Sequence, residues 1–458
     1  MKKIISVFMV LVISTMLFTA CTNKAVNNDV STDSDNTNTS VTNTTEDTQT
    51  NETTEDEVKS TLPDKLDNPN ITILWHTSED QYKTNLKANP DTFDAVWSVK
   101  DAFEKKYGGK VNIVPVAWGD QKDTLIKKVN AGEAVDLAQA NDQNFPVYPA
   151  KKLVQDVSQY MDANDSFWNP GVTKAFTFGG APYALGIDAT PVVIYFNKTL
   201  FDNSGVETPM DYYKGGNWTW DSFREAALAL TGDTDGDSKT DTFGFGWWDG
   251  TYVQFLATDG ITNMVYNEDG SIGDNYMTPQ ATETITFLQN AFIKDKFIDA
   301  SQTGDYFINA FKKGKLAMTC EYGFNGMTAY ASDDYEIGWA PLPKGPSGQD
   351  NQCGGGMSGF CIPVTSTNGA GAAAFMRMSA EMLKDFNDNQ LLDKYGQEDV
   401  DLMNTLAQNI LFTPIGIDGY WDANTTIYQG MIKGTPVSTF LTNADEQIKK
   451  GVKTTLEQ

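Results

Sequence analysis

Histidine is almost absent: the 458-residue chain has one, His76. That excludes His-rich metal sites and leaves any His-based catalytic triad to a single ring. Basic residues are scarce too, 34 Lys and Arg against 61 Asp and Glu, a formal net charge of −27. Such a balance disfavours nucleic acid and anionic lipid surfaces as partners. No hydrophobic run after the N-terminal one is long enough to span a membrane. No Walker sequence, nucleophile elbow or zinc-binding His motif occurs. In so acidic a chain carboxylate pairs abound, so no pair singles itself out as catalytic.

Aromatic residues are missing throughout residues 22–70, the longest such stretch, which holds 11 acidic against 3 basic residues and much Asn, Thr and Ser. It cannot bury enough apolar surface to offset its ordering entropy, so a disordered, self-repelling tether is expected over residues 21–70. Before it, Met1-Lys2-Lys3 and a short apolar run read as a signal peptide over residues 1–20. Leu17-Phe18-Thr19-Ala20-Cys21 has the look of a lipobox, with Phe18 where Leu is usual, and makes Cys21 the expected lipidation site. An ordinary cleaved signal peptide is the alternative. Cysteine is sparse, four residues in all. With Cys21 lipidated, Cys320, Cys353 and Cys361 remain. Cys353 could pair with Cys361; three buried thiols acting as small apolar groups is the reading favoured here.

The remaining 388 residues are too many for one simple core and suit two lobes. Residues 71–75, 111–116 and 135–138 read as strands and residues 95–107 and 123–130 as helices between them. This alternation implies parallel strands with right-handed crossovers. Ligands of such sheets bind beyond the strand carboxyl ends. Trp75, His76, Asp80, Trp118, Asn141, Asp142 and Asn144 fall in those loops.

Residues 186–231 organise the rest. An apolar β-branched run over residues 191–196 reads as a buried strand, ended by Asn197-Lys198 and a short helical turn at 199–201. Thr219-Trp220-Asp221 then starts a helix with Phe223, Ala226, Ala227 and Leu230 at helical spacing. Tyr195, Asn197, Lys198, Leu200, Phe201, Gly205, Trp220, Asp221 and Phe223 follow an order that resembles the extracellular solute-binding proteins of ABC importers, in particular sugar-binding lipoproteins related to maltose-binding protein. Phe196 and an insertion over residues 212–217 depart from that pattern. The resemblance runs from about Ile71 to the C-terminus. It implies an α/β, two-lobed periplasmic-binding-protein-like fold of type II with hinge strands, the strand after Gly186 being the first hinge. The Gly-rich residues 354–359 and residues 413–416 would be the second and third crossovers. The first lobe would comprise residues 71–187 and 360–412, the second residues 188–359 and 413–458. No catalysis is implied. The expected function is capture of a carbohydrate, an oligosaccharide by preference, and its delivery by a monomer on the outer face of the membrane to an ABC permease. A secreted glycoside hydrolase or lyase, or a binding protein feeding a sensor kinase, are the alternatives.

A sugar's C–H face stacks on aromatic rings while its hydroxyls need carboxylates and amides. To the first-lobe candidates the resemblance adds Asp188, Trp248, Tyr322 and Trp421. Trp220 and Trp339 are expected to be core. Asp233, Asp235, Asp237 and Asp241 are spaced as hard oxygen ligands for a structural Ca²⁺. Ser238 and Gly244 stand where an EF-hand has Gly and Glu, and a solvated acidic turn is the alternative.

Overall fold

A computed structural model describes residues 62–457 except 91, 235, 249 and 302–305. The expected signal peptide, the lipobox with Cys21 and residues 21–61 of the tether lie outside the described residues; residues 62–70, expected as tether, instead belong to the fold, since Leu66 is buried in its core and Asn368 bonds the Asn70 carbonyl. Twelve strands follow in order: β1 Ile71–Trp75, β2 Val111–Pro115, β3 Leu137–Asn141, β4 Thr177–Phe178, β5 Ala181–Pro182, β6 Ala184–Asn197, β7 Phe243–Phe245, β8 Met264–Tyr266, β9 Ile272–Asp274, β10 Leu316–Tyr322, β11 Ile337–Ala340 and β12 Gly355–Cys361. Eight of them join in the order β2-β1-β3-β12-β6-β10-β7, with β11 also on β6. The fold is two-lobed, matching the expected class.

β6 is the shared strand. Its first half, to Pro191, pairs antiparallel with β12, and Val192–Asn197 pair with β10 and β11. Pro191, which has no N–H to donate, sits where the partner changes. Opposite it, Gly355 lets two backbones approach closely: a Cβ there would stand 2.5 Å from the Thr190 carbonyl oxygen. The strand expected over residues 191–196 is therefore the second half of a longer one.

β1 pairs in parallel with β2 and β3, as the strand–helix alternation requires. Both faces of this half-sheet are covered. Ile71, Ile73 and Trp75 pack with Val99 and Phe103 of the helix Trp97–Tyr107 and with Phe360 and Phe375, while Leu74 and Ala138 face the other core. In the second lobe the helix Trp220–Ala229 starts with a capping box of Thr219 and Ser222, and buries Trp220 and Phe223. Trp339 is a buried strand residue opposite Tyr195. The helices Pro279–Ile293, Tyr420–Ile432 and Val437–Glu457 pack together at its far side.

Several expectations shift. β3 runs on to Asn141, through residues read as loop, because β1 and β12 flank it and bond its polar positions. The segment after His76 holds a polar helix, Glu79–Ala88, announced by a Ser78/Gln81 capping box. A long helix runs from Gly369 to Tyr395 and stops only at Gly396. Its buried Arg377 pairs with Asp165 and Glu381 at 3.1 and 2.8 Å and lies 3.6 Å over the Phe167 ring. Cys320, Cys353 and Cys361 are all buried free thiols, and burial pushes each up in pKa. No helix among the described residues is long and apolar enough to cross a membrane.

Candidate functional site

Three strands bring a polar row to the junction of the lobes. Ser358 of β12 is the register partner of Asn141 at the end of β3 and of Asp188 on β6. Directly opposed residues in antiparallel strands project to one face, so Asn141, Ser358 and Asp188 share it. A bulge makes this possible: Gly359 faces Gly186 while Ser358 faces Asp188, leaving Ile187 unpaired. Thr190 donates its hydroxyl to Asp188 at 2.8 Å.

Asn141 is 2% exposed. Its Oδ1 accepts the Gln143 N–H at 3.0 Å, but its buried Nδ2 has no hydrogen-bond partner. A buried donor without an acceptor is costly and points to an acceptor that arrives from outside. Next to it, the Asp142 carbonyl accepts the N–H groups of Ile415 and Gly416, tying the row to the third expected crossover. The Asp142 carboxyl is half-buried, and desolvation pushes it up to about 6, partly offset by the Gln143 N–H. Asp188 is open to solvent by area yet ringed by protein, and it too is raised by desolvation. Tyr322, at the end of β10, covers Gly356. Burial raises its hydroxyl, and the charges of Asp142 and Glu321 add to this. Glu321 is itself raised by burial.

Two of the candidate tryptophans are exposed. Trp118 opens a single helical turn after β2 and is 39% exposed. Its ring meets His76 edge-on at 4.7 Å. Trp421, in the first turn of its helix, is 44% exposed, 6.5 Å from the Trp248 ring and perpendicular to Tyr420 at 5.2 Å. Trp248 lies against Gly250, where a Cβ would collide with the ring.

Two candidates are corrected. Trp75 is core: it is 3% exposed, its indole N–H is held by the Asp94 carboxylate at 3.0 Å, and strand alternation turns it to the face covered by Val99 and Phe103. It backs the His76 ring at 4.5 Å. Asp80 is an exposed residue in the first turn of the helix Glu79–Ala88, and no hydrogen bond or ring contact among the described residues joins it to the other candidates. Sequence reasoning missed Ser358, Tyr420 and Glu321. Tyr420 is buried, bonded to Asn263 Nδ2 at 3.3 Å and adjacent to Trp421. Its only signal was that adjacency; Ser358 had none apart from its place among glycines. Asn144 turns inward, accepting the Asn141 N–H.

In the acidic loop Asp235 lies outside the described residues. Asp233 accepts the Gly236 and Ser238 N–H groups, Asp237 binds Lys239, and Asp241 accepts from Thr234. Among the described residues no three acidic, His or Cys groups converge as a metal cage.

A family model described as bacterial extracellular solute-binding protein matches residues 85–381. A putative binding protein of Brucella abortus (strain 2308) is 25% identical over 269 residues, which cover 55% of this chain and 60% of that protein. The chain thus spans about three-fifths of that relative's length. The diacetylchitobiose binding protein DasA of Streptomyces coelicolor is 24% identical over 325 residues, 67% of this chain and 68% of that one. Among solved structures, the extracellular solute-binding protein of Staphylococcus aureus in complex with maltose superposes with a TM-score of 0.64 at 17% identity, covering 84% of this chain and 98% of that one.

Proposed function

Because this chain belongs to the bacterial extracellular solute-binding protein family, we propose that it captures an oligosaccharide between its lobes and presents the closed form to an ABC permease. One observation carries the reading: the unpartnered Nδ2 of Asn141 in a row with Ser358 and Asp188, at the strand that both lobes share. Hydroxyls both donate and accept, so a sugar can satisfy the amide donor and the carboxylates together. Trp118 and Trp421 offer exposed ring faces on which sugar rings can stack. The maltose of the Staphylococcus aureus complex and the diacetylchitobiose for which DasA is named are of this class. Closure is then a ligand-driven population shift about β6 and β12.

Cys21 would carry the lipid anchor, and the acidic tether would hold the lobes clear of the membrane. The loop of Asp233, Asp235, Asp237 and Asp241 would hold Ca²⁺ as a structural ion, since a carboxylate oxygen that accepts one N–H keeps a lone pair for a cation. Calorimetric titration with a panel that includes maltose, maltotetraose and diacetylchitobiose tests the main reading. A member of the panel should bind wild type and lose at least tenfold in affinity to an Asn141→Leu variant whose apo Tm is no lower than that of wild type. Silence across neutral oligosaccharides would sink it.

A further inference from the structure

His76 sits between two unlike environments. Its Nδ1 is 3.0 Å from Oε1 of the buried Gln139, and that same oxygen accepts Nε2–H of the buried Gln121 at 3.1 Å. An amide oxygen has two lone pairs and no proton, so it can hold two donors but cannot donate. Nδ1 must therefore carry the imidazole proton, because the other tautomer would set two acceptors against each other in a buried place. Burial holds the ring's pKa below its ordinary value, with the Asp94 charge and the Gln139 bond opposing, so the ring is neutral near pH 7. A neutral ring protonated at Nδ1 has a lone pair at Nε2. That atom has no protein partner among the described residues and is not sealed from solvent. The ring itself stands against Trp118, the exposed aromatic wall of the first lobe.

We propose that His76 is the fixed hydrogen-bond acceptor of the cleft: the Gln121–Gln139 pair locks its tautomer, and Nε2 accepts a hydrogen bond from a hydroxyl of the sugar ring that stacks on Trp118. This rests on the carbohydrate reading and deepens it. Asn141 Nδ2 supplies a donor and His76 an acceptor, so the site orients a hydroxyl on each side and not only a ring face. A ligand with no hydroxyl donor at that position, such as an O-methylated sugar, is disfavoured.

The single histidine makes the test direct. In the ¹⁵N-labelled full chain, without ligand at pH 7.5, the imidazole signals should show a protonated Nδ1 and a bare Nε2. A protonated Nε2 overturns the proposal. On saturation with maltotetraose, or whichever neutral oligosaccharide of the panel binds, the Nε2 signal should move in the direction of an accepted hydrogen bond. His76→Phe, which keeps a ring beside Trp118, should bind about tenfold more weakly with its apo Tm unchanged. Tight binding that leaves the Nε2 signal unmoved, or a His76→Phe variant of wild-type affinity, refutes the acceptor role while the carbohydrate reading stands. Failure of every neutral oligosaccharide to bind, with Nδ1 protonated as expected, refutes the carbohydrate reading and the hydroxyl donor with it.

Discussion

Asp142 should make the empty protein less stable in the pH range where it binds best. Desolvation raises its carboxyl from 3.8 to about 6. A raised carboxyl pKa means that the native state holds the proton more tightly than the unfolded chain. The stability it contributes is thus fully present below 3.8 and is lost as pH rises through about 6. The whole displacement corresponds to roughly 3 kcal/mol, and the part falling between pH 5 and 7.5 to about 1.4 kcal/mol. Asp142→Asn keeps the size and removes the titration. Urea unfolding of apo wild type and variant at pH 5.0 and 7.5 isolates the group, because other raised carboxyls such as Asp274 titrate in both proteins. Wild type should lose about 1.4 kcal/mol relative to the variant between the two pH values. Binding should run the other way: the ionised carboxylate is the better acceptor for sugar hydroxyls, so wild-type affinity should fall by up to about tenfold per pH unit below 6. The variant's affinity should be weak and flat. A difference in stability that does not change with pH, or one that changes with the opposite sign, would refute the argument that Asp142 is held desolvated at the junction of the lobes.

Four further outcomes are expected. Trp118→Ala and Trp421→Ala should each weaken oligosaccharide binding by about 1 kcal/mol beyond lost contact area, with the apo Tm unchanged, and a lowered Tm at constant affinity would return the ring to a packing role. Arg377→Met should destabilise the chain by about 3 kcal/mol in urea unfolding, since it strands Asp165 and Glu381 against the helix Gly369–Tyr395 and removes the Phe167 stack, while affinity stays within twofold. A chelator should lower the Tm of wild type but not of an Asp235→Asn/Asp237→Asn variant, and an equal response of the two would discard the Ca²⁺ loop. Cys21→Ala should move the protein from the membrane fraction to the soluble fraction, and retention on the membrane would remove the lipid anchor.

What could be read from the chain and what could not divide along a physical line. Periodicity located β1, the helix at Trp97–Tyr107 and the helix at Trp220–Ala229, because burial of one face leaves its spacing in the sequence. The same rule told Trp220 and Trp339 from site residues, but it failed for Trp75, whose neighbour His76 is polar although the strand still buries position 75. Spacing carries no record of register between strands 170 or more residues apart. Ser358 reaches Asn141 and Asp188 only through two antiparallel pairings and a bulge at Ile187, so no local pattern could have placed it. Asn141 and Asp142 could be proposed from their position after a strand, yet what distinguishes them, an unpartnered amide and a desolvated carboxyl, arises only in the folded chain. Both features cost stability in the empty protein. A chain that kept them for packing alone would do better with Leu or Asn at those positions, so their presence at the strand shared by both lobes is itself an argument that something polar and uncharged completes the row.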